Sequence, residues 1–214
     1  MANSSDAAVK LYEIFLAGEA AAVHRLIDEY AMAPSTADRI AVTRLIASEC
    51  AHFEELAEKV REAGHAVDAA VDRHVQVFEK YHQVTTPSTW LEVLVKMYIG
   101  DGLAADFFAE VAGVLPEGSR EIFASVMGQT TSSDWARDAV RAAVAADPAV
   151  AAPLALWGRR LLGEAITHMQ WVLAEDEEVT DFLFAGAGSL TSVAGFFDSM
   201  AQRHAARMAD LSLA

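Results

Sequence analysis

The stretch "SECAHFEEL" (residues 48–56) sets Glu49 and His52 three residues apart in an apolar helical pattern. On a helix that spacing puts both side chains on one face, where a carboxylate and an imidazole converge. Leu45, Ile46, Phe53 and Leu56 share the stripe, so the pair is expected to point inward. A buried carboxylate needs either a cation of the protein or a metal ion to compensate it. Carboxylate and imidazole together suit iron or manganese. One helix face supplies only half of such a site, so its other ligands must come from elements at the same height.

Those elements read as helices throughout. Val, Ile and Thr do not alternate with polar residues over strand lengths, and no Asn-Gly or Asp-Gly hairpin turn occurs. A first helix runs from near Ser5 to Ala33, where Pro34 stops it. Ser35 and Asp38 form the start of a second, which reaches Gly64. A further helical piece covers "HAVDAAVDRHVQVFEKYHQ" and breaks at "TTPST". The third long helix spans about Ser88–Leu115, and "PEGS" turns the chain into a fourth that continues to Ala146. Asp147-Pro148 starts a fifth, ending in the acidic "AEDEE" (174–178), and "GAGS" precedes a last one from about Ser189. With no low-complexity linker, residues 1–214 read as one domain. Two antiparallel hairpins joined by one long crossover make an all-α, ferritin-like four-helix bundle with additional C-terminal helices.

Antiparallel helices bring residues equidistant from their turn to one height. Glu49 lies fifteen residues after Pro34, and Glu19 lies fifteen before it. Phe15, Leu16, Val23 and Leu26 flank Glu19 at helical spacing, so it too is expected to face the core. On the third helix Asp101 sits among Met97, Tyr98, Ala105 and Phe108. Reflection through "PEGS" lands near Asp134, where a di-iron bundle would carry a second Glu-x-x-His. Here the sequence reads Asp134-x-x-Arg137, and arginine cannot ligate a metal. Glu164 on the fifth helix, one turn before His168, is a candidate replacement. The expected metal set is therefore Glu19, Glu49, His52 and Asp101, with Asp134 or Glu164 completing it. Tyr98, Arg137 and His168 are expected around it. His24, His65, His74, His82 and His204 read as surface residues, Trp157 and Trp171 as core, and Cys50 as packing.

Charge narrows the partners. The formal net charge is −15, which opposes binding to a phosphate backbone, so a nucleic-acid partner is not expected. No apolar run reaches transmembrane length, the N-terminus lacks a secretory pattern, and the single cysteine suits a reducing compartment. These point to the cytoplasm without membrane association.

Three stretches, "ADRIAVTRLIASECAHFEEL" (37–56), "PSTWLEVLVKMYIGDGLAADFF" (87–108) and "LALWGRRLLGEAITHMQ" (154–170), resemble the ferritin-like family named for tRNA methylthio-isopentenyl-adenosine hydroxylase, MiaE. The resemblance extends over nearly the whole chain. It implies a di-iron oxygenase that hydroxylates a prenyl side chain on a tRNA base, with Glu19, Glu49 and His52 as ligands and Asp101 as the carboxylate of the third helix. It departs from the family pattern at Asp134 and Arg137. The leading expectation is an iron-dependent oxygenase or hydroxylase with one or two iron ions, or manganese. Its expected partners are a small or tethered organic substrate and a second copy of the chain. The competing expectation is a non-catalytic bundle, acting through protein contact, in which Glu19, Glu49, Asp101 and Arg137 form a buried ionic network.

Overall fold

The computed structural model describes residues 4–111, 115, 117–127, 131–175, 180–181 and 190–214. Its α-helices are α1 (Ser4–Tyr30), α2 (Thr36–Glu62), α3 (Val67–Val84), α4 (Trp90–Val111), α5 (Glu117–Met127), α6 (Thr131–Ala146), α7 (Ala151–Glu175) and α8 (Leu190–Asp210). No strand occurs among the described residues. Most of "AEDEE" and all of "GAGS" lie outside them.

Local chemistry sets the helix boundaries. Ser35 is the N-cap of α2, and its hydroxyl oxygen accepts from the Asp38 amide. At the other end Gly64 adopts φ 82°, a left-handed conformation that costs glycine nothing. There the His65 amide donates to the Val60 carbonyl and the Gly64 amide to Arg61, which closes the last turn of the helix. Before α4, the Thr89 hydroxyl accepts from the Glu92 amide, and the Glu92 carboxylate accepts from the Ser88 amide. Asp147 accepts from the Ala149 amide ahead of α7, with Pro148 opening the short 3-10 turn between them.

Helix α1 packs against α2 on one side and α3 on the other, while α4 packs against α6, α7 and α8. Helices α3 and α7 join the two groups. The buried apolar side chains fall into two clusters. One includes Leu11, Leu16, Leu56, Val60 and Phe123. The other includes Leu26, Val42, Leu45, Leu94, Ile99 and Leu161. Along α1 the clusters meet between Leu16 and Leu26, and along α2 between Leu45 and Leu56. Glu19, Glu49 and His52 occupy that gap, so the site is a polar waist between two dry cores.

One element departs from the sequence expectation. The single helix expected from "PEGS" to Ala146 is two helices, α5 and α6, with residues 128–130 between them outside the description. Asp134 belongs to the second of them, so counting along one continuous rod does not apply to it.

The C-terminal helix is fastened by charge. Buried Asp106 of α4 forms ion pairs with Arg207 at 2.5 Å and Arg203 at 2.8 Å, and Arg207 also donates to the Gly102 carbonyl at 2.8 Å. A Cβ on Gly102 would overlap the Arg207 side chain, so glycine is needed for this close approach. Asp106→Asn is expected to lower stability by about 3 kcal/mol. That is the low end for breaking a buried pair, because Arg203 is partly exposed. Denaturant unfolding with an unchanged m-value checks this. A loss below about 0.5 kcal/mol would show that the contact contributes little. Among the described residues no single helix is long and apolar enough to cross a membrane.

Candidate metal centre

Glu19 of α1 and Glu49 and His52 of α2 each offer a ligand atom, and these three atoms lie within 4.8 Å of one another. His52 Nδ1 is 3.5 Å from Glu49 Oε2 and 3.8 Å from Glu19 Oε2. Among the described residues no other such group of acidic, His or Cys side chains occurs. The hairpin supplies the geometry: fifteen residues on either side of Pro34 return to one level, and the helical stripes turn both carboxylates inward.

The three groups fit a divalent cation. Glu19 Oε2 is buried and has no hydrogen-bond partner among the described residues, an arrangement that is costly without a compensating ligand. Two carboxylate oxygens and an imidazole nitrogen form a donor set suited to iron or manganese. The second nitrogen of His52 has its own partner, Ser48 Oγ at 3.4 Å, one turn back on the same helix. With an ion bound, a proton on Nε2 shared with Ser48 would leave the Nδ1 lone pair for the metal, whereas in the metal-free protein Nδ1 is the nitrogen that faces Glu49 as a donor.

Without a metal, the two carboxyls divide the proton between them unequally. Burial pushes the Glu19 pKa up to about 11, and a hydrogen bond to Glu49 and the charges of Glu49 and Asp101 reinforce it. Burial would also raise Glu49, but it ends below the usual carboxylate range. Hydrogen bonds from His52 and Glu19 and the positive charge of Arg25 outweigh the burial. The pair therefore shares one proton and carries one negative charge, with Glu19 raised and Glu49 lowered.

Asp101 of α4 lies within electrostatic reach of Glu19 and of Arg25, at the edge of the same centre. The remaining expected ligands stand elsewhere. Asp134 is largely exposed and accepts from Arg137 at 2.7 Å, so it does not complete the shell. Arg137 also bonds Asp138 and lies 3.8 Å from Asp210, on the surface where α6 meets the end of α8. It is not the cation of a buried network. Tyr98 donates to Asp210 at 2.7 Å and belongs to that same surface contact. Glu164 is half-buried, its nearest cation is Arg160 at 4.0 Å, and its field falls on Tyr81 of α3. Buried His168 donates Nδ1–H to the Glu164 carbonyl and packs against Tyr81 and Trp171.

His24 and His65 are exposed, as expected, and His65 Nδ1 lies 2.6 Å from the buried carboxylate of Glu13. The other surface expectations fail: His204 is buried, and His82 and His74 are half-buried, His74 beside the same Glu13. Cys50 is exposed rather than packed, because it points away from the Glu49 face, and Trp171 is likewise exposed.

Arg25, which the sequence reading missed, is the largely buried cation of this centre, its side chain 12% exposed. Its Nη1 donates to Glu29 at 2.5 Å, and the charges of Glu29, Glu49 and Asp101 hold its pKa above the ordinary value against the opposing effect of burial. Arg25 and Glu29 stand four apart, a spacing that in sequence looks like a solvent-exposed helix pair. The available signal was their place on the same helix as inward-facing Glu19.

No curated protein matches the chain. A family model described as "Ferritin-like domain, actinomycetes" matches residues 2–186, which takes in α1 to α7 and leaves α8 outside. With the match covering most of its length, the chain belongs to this ferritin-like domain family of actinomycetes.

Proposed function

We propose that the chain is a metal-dependent oxidising enzyme that holds one iron or manganese ion through Glu19, Glu49 and His52. Its substrate would be a small or tethered organic molecule. The observation that carries this reading is the buried Oε2 of Glu19, without a hydrogen-bond partner among the described residues, beside Glu49 and His52 between two apolar clusters. When bound, such an ion supplies redox chemistry with O2 or peroxide. The residues of the chain do the rest. Glu49 offers a carboxylate held below the usual range, the shared proton leaves on binding, and Ser48 contacts the ring of His52. Asp101 adds negative charge from α4. Arg25 sets a fixed positive charge beside Glu49, and we infer that it takes the place of a second ion. Hydroxylation of a prenyl group, as the resemblance to the MiaE family implies, is the finer form of this reading.

A second reading rests on Arg25. Its pairing with Glu29 and its place in the field of Glu49 and Asp101 suit a metal-free ionic network in a bundle that acts through protein contact.

Metal quantitation on tag-free protein, with melting curves with and without chelator, tests both. One ion per chain and a chelator-sensitive melting temperature are expected. Two tightly held ions per chain would overturn the assignment of Arg25. Absence of metal after incubation with ferrous and manganous salts, with no change in melting, would leave the ionic network.

A further inference from the structure

Beside the metal centre, α1, α3, the link at Thr86 and Pro87, and Lys96 of α4 line a half-open pocket of about 360 Å³, at the small end of the range for ligand pockets. Lys96 is only 3% exposed, in a run of apolar residues where a lysine is costly to bury. Its Nζ donates to the Thr85 carbonyl at 2.7 Å and lies 3.6 Å from Glu29 Oε1. That oxygen is buried and makes no hydrogen bond among the described residues. The structure thus holds an amine, a neighbouring carboxylate oxygen with spare capacity and a space for a small molecule, all in contact.

The geometry points to Lys96 as a nucleophilic amine that forms an imine with a small aldehyde or ketone entering this cavity. Lys96 Nζ adds to the carbonyl carbon, forming an N–C bond as the π pair moves to oxygen. Glu29 Oε1 accepts the proton that nitrogen releases and returns one to oxygen. Loss of water then gives the imine, with no oxidant or reductant required. The surroundings keep the amine available. Burial, followed by the charge of Arg25, lowers the Lys96 pKa to about 7, against the opposing pull of Glu29. The other groups facing the cavity are His24 and Asp28 of α1 and Glu79 and His82 of α3. Burial first, then Arg25 and Lys96, keep His82 neutral. Asp28 is exposed and screened by water. This inference stands apart from the metal reading, since none of the ligand residues takes part.

Reductive trapping tests it on the full-length protein. Propanal and sodium cyanoborohydride near pH 7, followed by peptide mapping, report the label on each of Lys10, Lys59, Lys80 and Lys96. Lys96 is expected to be alkylated at least about tenfold faster than the other three, because far more of it is unprotonated at that pH. The ratio should shrink as the pH is raised to about 10. Labelling of Lys96 no faster than the other lysines, or a ratio that is flat with pH, would overturn the proposal. A flat ratio is what mere opening of the bundle around an ordinary lysine would give.

Discussion

Exchange of Glu49 for Gln is expected to weaken iron or manganese binding by at least about a hundredfold while leaving the metal-free protein folded. Loss of a residue that only orients a ligand costs about ten- to a hundredfold in affinity, and loss of the ligand itself costs more. The amide of Gln keeps the shape of Glu49 but not its charge. In the metal-free protein the cost is modest, because Arg25 keeps its bond to Glu29 and the field of Asp101. What disappears is a charged acceptor for His52 and Glu19, worth about 1–3 kcal/mol. The network reading expects something different. There the buried carboxylate is the main compensation of the cation, and its loss costs about 3–5 kcal/mol whether or not chelator is present. Denaturation of wild type and Glu49→Gln, each with and without chelator, separates the two. Under the metal reading, chelator lowers wild type most of the way to the variant and leaves the variant unchanged. A wild type indifferent to chelator, beside a variant that has lost several kcal/mol, would remove the metal from the account.

The contrast between Glu19 and Asp134 shows what the sequence carries and what it loses. Both were placed by reflection through a turn. The α1–α2 turn is short and its ends are marked, by Pro34 and by the Ser35 cap, and both helices run unbroken past the site. Counting along them is therefore a measurement of height. Between "PEGS" and Ala146 the described residues form two helices, α5 and α6. A fixed rise per residue holds only within one helix, and Asp134 lies at the start of α6, largely exposed. The motif "GQTT" (128–131) was the warning, since glycine and two β-branched threonines interrupt a helical pattern. Arg25 and Lys96 were missed for another reason. Periodicity reports which face a residue occupies, but two charged residues four apart look the same buried or exposed, and only the neighbouring α3 and α4 bury this pair. Lys96, a single cation in "LEVLVKMYIG", left the clearer trace.

The proton on Glu19 gives the second large effect. Affinity for the metal is expected to rise about tenfold per pH unit between about pH 6 and 8, roughly a hundredfold across that range. The ion takes the ionised carboxylate, whereas burial, the bond to Glu49 and the charges of Glu49 and Asp101 keep Glu19 protonated in the metal-free protein to about pH 11. Binding must then release one proton throughout the neutral range. Stability follows with a definite sign. Above about pH 4.5 the unfolded chain has lost the Glu19 proton and the metal-free folded chain has kept it, so metal-free stability falls as pH rises towards 11. The metal-loaded protein does not hold that proton, so the stabilisation gained from metal grows with pH. Lys96 works in the opposite direction. Its lowered pKa makes stability rise from about pH 7 upwards, as the unfolded chain retains a proton the folded chain gives up. That contribution is common to both forms and cancels in their difference. Calorimetric titration with manganous salt at about pH 7, in two buffers of different ionisation heat, should therefore return one proton released per ion bound. Titrations that release no proton and show pH-independent affinity would mean that Glu19 is already ionised or does not meet the metal.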